Sequence, residues 1–390
     1  MDRCDVLIVG GGPAGSSCAW ALREAGLDVV VMDKAQFPRD KVCAGWITPA
    51  VIEELELDIE DYRQQHVFQP ITGFYAGLLD GPMLETGYDH AVSYGIRRCE
   101  FDDYLVRRTG ARLRLGEPLA HLARTANGWT VNDSLQTPLV IGAGGHFCPV
   151  ARFLGADVGR SELAVSAQET EFEIDPSQQS AYRCKSEAPE LYFCKDLGGY
   201  GWCVRKGNFI NIGLGREGDH GLAQQVMAFQ HFLEDKGRIP ANLNRRYKGH
   251  AYLLYRHARR KPVDDGVILV GDAAGLAYTQ SGEGIRPAIE SGLLAAATIL
   301  QAGGRYSRDA LESYAARLES RLGPRGAGDW SAWLPASVRS RLAGMALGSH
   351  WFVRHVLLDR WFLHALDPPL SHSHWGENER LISADKHQGH

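Results

Sequence analysis

The chain has no apolar run of 18 residues, so no segment reads as a membrane-spanning helix. It has little excess charge. The 42 Lys and Arg against 47 Asp and Glu leave a net −5, which argues against nucleic acid as a partner. No two cysteines stand in C-x-x-C spacing. The eight, at positions 4, 18, 43, 99, 148, 184, 194 and 203, offer no zinc pattern. No metal site is expected, and most of these thiols read as small buried hydrophobes. There is no internal repeat and no low-complexity linker. Glycines break the first apolar run at residues 10–12, too early for a signal-peptide core, so the expected location is cytoplasmic. The remaining composition is globular, at 44% hydrophobic and 23% charged, and its 44 glycines suit an α/β fold with many turns. At 390 residues the chain exceeds one typical core.

The first 33 residues carry the strongest signal. Asp5 to Val9 reads as a buried strand that runs into Gly10-Gly11-Gly12-Pro13-Ala14-Gly15. A helix is expected from Ser16 to about Ala25, ended by Gly26, and a second strand from Leu27 to Met32 with Asp33 at its end. Glycines at 10, 12 and 15 form G-x-G-x-x-G in strand–turn–helix context. An acid follows 18 positions after Gly15, near the roughly 20 expected of a ribose-binding carboxylate. Gly10 allows the tight turn, Gly12 lets the backbone approach a pyrophosphate, and Gly15 lets helix and strand pack. The helix N-terminus offers free N–H groups to the phosphates. The pattern predicts dinucleotide binding, with FAD the first choice.

Further along, residues 36–50 form a Pro/Gly-punctuated stretch, and Cys99 to Arg108 reads as a helix. Leu139 to Ala143 reads as a buried strand, and residues 161–256 as mainly β. Tyr200 to Gly215 is expected to be a hairpin turning at Gly207-Asn208. Leu222 to Lys236 reads as a helix and Gly266 to Val270 as a strand. Gly271-Asp272-Ala273-Ala274-Gly275 then leads to a helix from about Gly284 to Gln301, and 307–322 is an amphipathic helix. The expected fold is α/β. Residues 1–72, 93–157 and 257–302 would build a discontinuous Rossmann-like FAD-binding domain. Residues 73–92 and 158–256 would form an inserted β-rich substrate domain, and 303–390 a helical C-terminal region with a flexible tail.

These segments resemble the FAD-dependent oxidoreductases that include geranylgeranyl reductases and aromatic-ring hydroxylases, over roughly residues 1–300. Phe37 to Gly45 resembles the geranylgeranyl reductase segment P-x-x-K-x-C-G-G, and Arg98-Cys99-Glu100-Phe101-Asp102 its R-x-x-F-D helix start. Tyr200-Gly201-Trp202 followed by Lys206-Gly207 resembles its Y-x-W-x-F-P-K-G hairpin. Gly271 to Gly275 followed by Gly282-Glu283-Gly284-Ile285 resembles its G-D-A-A-G…G-E-G-I element.

The resemblance implies a cofactor-binding set of Gly10, Gly12, Pro13, Ala14, Gly15, Asp33, Lys34, Lys41, Arg98, Gly271, Asp272, Gly282, Gly284 and Ile285. Arg98 would contact the pyrophosphate, and Asp272 would accept from the ribityl chain or cap a helix. The helix opening near Gly284 would stabilise an anionic reduced flavin by roughly 0.3–2 kcal/mol. Cys43 is the catalytic candidate: a thiol on the substrate side could donate a proton, or it could simply pack a turn. Lys41 could lower its pKa. Tyr200 and Trp202 would line an apolar pocket or sit half-buried in the hairpin.

Two departures stand out. Gly142-Ala143-Gly144-Gly145 lacks the acid of the family's G-A-D-G, and Cys203-Val204-Arg205 replaces an apolar–Phe–Pro stretch. The W-x-W-x-I-P motif of flavin halogenases is absent. No second complete dinucleotide fingerprint is present, so NAD(P)H in the flavin cleft, or another electron donor, is the implied reductant.

The implied activity is reduction of C=C bonds in an apolar, isoprenoid-like substrate by hydride from reduced flavin. The alternatives are monooxygenation of an aromatic or polyketide-like substrate through a flavin C4a-hydroperoxide, and a non-catalytic flavin carrier. Residues 330–366 interleave Trp330, Trp333, Trp351, Phe352, Trp361 and Phe362 with Arg339, Arg341, Arg354 and Arg360. They would cover the flavin domain as packing or a substrate lid, or make a peripheral membrane contact. The tail from Ser371, with His372, His374, His387 and His390, gives no defined metal site.

Overall fold

The computed structural model describes residues 1–157, 162–218, 221–326 and 336–370. Trp330, Trp333, the Arg339 side chain and the tail from Ser371 lie outside the described residues. A six-stranded sheet runs in the order Val263–Asp264, Val267–Leu269, Leu139–Gly142, Val6–Val9, Val29–Asp33, Arg112–Leu115. All neighbours pair in parallel except the first two. Its central strands are buried on both faces, which is why they read as unbroken Val/Ile/Leu runs. The edge strand Arg112–Leu115 is partly exposed and carries two arginines, which discourage further pairing.

The first helix is Pro13–Leu22, three residues earlier than Ser16. Proline lacks only an N–H that the first turn leaves unpaired anyway, so the helix starts at Pro13 and Gly15 lies within it. It packs across Ile285–Ala302, where a Cβ on Gly292 would overlap the Ala14 carbonyl oxygen. Two small residues therefore set the close approach of the helices that flank the dinucleotide turn. The helix expected over 307–322 comes as two, Arg308–Leu311 and Ser313–Leu322, the first capped by the Ser307 hydroxyl.

The β-rich middle forms a seven-stranded sheet: Lys248–Leu253, Ala164–Glu173, Phe209–Glu217, Gly199–Lys206, Glu190–Phe193, Gly73–Leu78, Met83–Gly87. Lys206 pairs with Phe209, so Gly207-Asn208 is the two-residue turn, with Gly207 at a φ of +57°. Helix Leu222–Asp235 buries Val226, Phe229 and Leu233 on one face of this sheet. The other face, which carries Phe74, meets Trp46 and a wide-turned helical segment, Val353–Phe362, through that segment's Val353, Leu357 and Phe362. That segment thus packs as a cover, while Trp351 just before it is 65% exposed.

Candidate active site

Between the two large sheets lies a cavity of about 670 Å³, within the roughly 300–1,000 Å³ usual for ligand sites. Gly10, Gly12, Pro13, Ala14, Asp33, Lys34, Lys41, Cys43, Arg98, Tyr200, Trp202, Asp272, Gly282, Gly284 and Ile285 all line it. Gly15 and Gly271 stand behind the lining. A Cβ on Gly15 would overlap the Gly10 carbonyl oxygen, and on Gly271 would come 3.0 Å from the Ala14 Cβ. A Cβ on Gly12, by contrast, meets only the tip of Arg39 at 3.4 Å and otherwise points into open cavity. The strand–turn–helix unit therefore leaves a cradle at Gly12 while Gly10 and Gly15 hold its walls.

Asp33 Oδ2 accepts the Gly11 N–H at 2.8 Å and Oδ1 the Ala35 N–H at 2.9 Å. The Arg98 guanidinium makes two bonds to Asp102, at 2.8 and 2.9 Å, and stands beside Cys43. Arg39 also reaches Asp102, at 3.2 Å, and is the guanidinium nearest Gly12. Lys41 Nζ lies 2.7 Å from His250 Nε2, which is 3.4 Å from Asp272 Oδ2. Burial and neighbouring cations bring Lys41 down to about 8. Burial opposes ionisation of Asp272, yet His250, Lys41 and Arg98 hold its carboxyl at about 2. Where the family acid is missing, the Ala143–Gly145 backbone lines the cavity, followed by His146. Burial and Arg260 lower His146 to about 4, leaving a neutral imidazole.

The far end of the cavity is apolar. Trp46, Tyr200, Trp202 and Tyr252 line it, and burial pushes the Glu283 carboxyl up to about 8. Tyr200 donates its hydroxyl to Ser281 O at 2.8 Å, and Trp202 donates Nε1 to Asn211 Oδ1 at 2.7 Å. Their polar ends are thus occupied, which leaves ring faces for a ligand. Burial raises the Cys43 thiol against the pull of Arg98, so Sγ keeps its proton at neutral pH.

Arg39, His250, Tyr252 and Trp46 did not emerge from the sequence. Arg39 lay in plain view, two positions before Lys41. His250 and Tyr252 fall on the same face of strand Lys248–Leu253, but period-two alternation in a half-buried strand carries no mark of what it faces.

The profile of a family described as FAD dependent oxidoreductase matches residues 5–81. The menaquinone reductase of Mycolicibacterium smegmatis is 30% identical over 339 residues, 77% of each chain. The digeranylgeranylglycerophospholipid reductase of Methanocaldococcus jannaschii is 27% identical over 313 residues, 75% of this chain and 76% of that one. Among solved structures, a geranylgeranyl bacteriochlorophyll reductase-like protein from Thermoplasma acidophilum superposes with a TM-score of 0.71 at 20% identity. It covers 89% of this chain and 88% of its own. A probable FAD-dependent monooxygenase from Pseudomonas aeruginosa gives 0.64 at 18% identity, covering 91% and 100%. These two likenesses show a shared fold.

The residues fit FAD: an open cradle at Gly12, an acid locking the turn, cations along the cleft and an apolar end beyond them. Bound there, the flavin supplies two-electron chemistry, and the protein supplies position and electrostatics. The chain belongs to the geranylgeranyl reductase-like family of FAD-dependent oxidoreductases.

Proposed function

We propose that the protein reduces carbon–carbon double bonds of an apolar, isoprenoid-like chain at this cavity. The observation that carries the reading is the Cys43 thiol, which lines the cavity that the Gly12 cradle and the aromatic end share. Reducing an isolated alkene takes a hydride at one carbon and a proton at the other. FAD held at the Gly12 cradle would, when reduced, supply the hydride. Cys43 Sγ–H serves as proton donor in this reading, and Tyr200, Trp202, Tyr252 and Trp46, which line the same cavity, hold the chain and exclude water. A neutral Glu283 keeps that end free of charge. Relatives named for menaquinone and for a digeranylgeranylglycerophospholipid support the substrate class.

The cofactor unit is built from 1–72, 93–157 and 257–302, with 73–92 and 158–256 supplying the substrate wall. The reductant is NAD(P)H or another carrier, meeting the flavin in the same cleft. Exposed Trp351 and Met345, beside Arg341 and Arg354, support a peripheral contact with a membrane surface, which co-sedimentation with anionic vesicles tests.

The reductase reading is tested by incubating FAD-loaded, dithionite-reduced protein anaerobically with geranylgeranyl diphosphate and weighing the product. A gain of two hydrogens per reduced bond is expected. An unchanged acceptor, with an oxygenated product once air is admitted, would overturn it in favour of monooxygenation.

A further inference from the structure

Cys43 stands between two cavities. The large one holds the site described above. A second, of about 100 Å³, lies on the other side of the 40–43 segment. Its lining includes Asp40 and Lys248, an exposed ion pair at the protein surface, the half-buried Cys43 and the buried Glu169. It therefore reaches from a surface ion pair to the Cys43 segment, and apart from 40–43 and Arg98 its lining is separate from that of the large cavity.

Glu169 is 6% exposed, on strand Ala164–Glu173. Asn211, fully buried, ties it to the Cys43 segment. Asn211 Nδ2 donates to Glu169 Oε2 at 3.0 Å, to the Cys43 carbonyl at 3.1 Å and to Glu171 Oε2 at 3.2 Å. The two glutamates are two residues apart on one strand face but are treated differently. Glu171 pairs with Lys206 at 2.6 Å and with Arg97 at 3.2 Å, and these cations hold it ionised despite its burial. Glu169 is pushed up to about 7, chiefly by burial, with the Cys43 N–H, Lys206 and Asn211 opposing the rise and Glu171 adding to it. Arg98, Lys41 and Arg246 complete the charged wall of the small cavity. Two carboxyls whose environments drive them apart are the usual mark of an acid and a spectator.

Resting on the reductase reading, we propose that Glu169 returns a proton to Cys43 after each turnover and is itself recharged by water through the small cavity. In each cycle the Cys43 proton adds to one alkene carbon, and reduced FAD held in the cleft would supply the hydride for the other, giving up two electrons as the double bond becomes a single bond. The thiolate left behind takes the Glu169 carboxyl proton, and the resulting carboxylate takes up a solvent proton, the one that the reduction consumes. Glu169 acts through Cys43 and touches neither substrate nor flavin.

Two measurements on Glu169→Gln test this. The first maps iodoacetamide alkylation of Cys43 in the oxidised holoenzyme against pH, by peptide mass. The wild type should show an added inflection near 7, because ionised Glu169 opposes the thiolate. The variant should lose it and react severalfold faster at pH 8; identical profiles would overturn the coupling. The second uses reduced holoenzyme and geranylgeranyl diphosphate. A first turnover like the wild type, with steady-state turnover down about tenfold or more and partly restored by Glu169→Asp, is expected. Equal loss of both, or of neither, would overturn the relay. A wild type that leaves geranylgeranyl diphosphate unreduced fails the reductase reading itself, and the relay with it, whatever the alkylation profile shows.

Discussion

The Asp33 carboxylate accepts the Gly11 amide at 2.8 Å, joining the end of one strand to the turn that follows its neighbour. The acid is thus part of the turn's construction as well as a ribose candidate. Asp33→Ala should lower stability by about 1–3 kcal/mol by leaving a buried N–H unpaired, and should weaken FAD retention. Urea unfolding and flavin content after gel filtration check this. Unchanged values for both would mean that the turn holds without it.

The three fingerprint glycines should behave differently. Gly12→Val has room in the cavity and should leave a folded, soluble, colourless protein, because the side chain occupies the pyrophosphate approach. Gly15→Ala meets the Gly10 carbonyl and should unfold at a lower temperature whether or not FAD is present. A Gly12→Val protein that purifies yellow would contradict the assigned cradle.

Cys43→Ser should keep full flavin content and lose turnover of the prenyl acceptor by roughly 10²-fold or more. A hydroxyl holds its proton far more tightly than a thiol. Flavin absorbance and product formation measured on the same sample separate the two effects, and wild-type turnover would discard the donor role.

A second buried carboxyl pair gives a stability prediction. Glu54 and Glu290 share Arg286, at 3.3 and 2.9 Å, and each leaves its Oε2 without a hydrogen-bond partner. Burial first, and then Glu290, push Glu54 up to about 8. Its folded pKa lies above the ordinary 4.5, so its contribution to stability is complete below about 4.5 and is lost as pH rises through about 8. Glu54→Gln removes that loss. The variant should gain on the wild type steadily from pH 5 to pH 9 in denaturant titrations, and a constant difference would show Glu54 ionised throughout.

Much of the nucleotide side was legible because it is local. The Val6–Val9 strand, the glycine turn and Asp33 lie within one short unit, and the Gly207-Asn208 turn is set by its own two residues. The rest depends on register between distant strands. Lys41 meets His250 across 209 residues, on a strand whose place is set by pairing such as that of His250 with Ala167. Glu169 meets the Cys43 segment through the Cys43 amide and through Asn211 on the adjacent strand. Cys184 and Cys203, with no shared spacing motif, end with their sulfurs 3.2 Å apart beside Glu190. Nothing in residue type or interval marks such meetings before the sheet is assembled.

The reductase claim is tested most directly by stopped-flow mixing of anaerobically reduced holoenzyme with geranylgeranyl diphosphate while flavin absorbance is followed. Reoxidation without oxygen, at one reduced double bond per flavin, is the expected result. A flavin that stays reduced against this acceptor, and reoxidises only when oxygen is admitted while an oxygen atom enters a substrate, would contradict it.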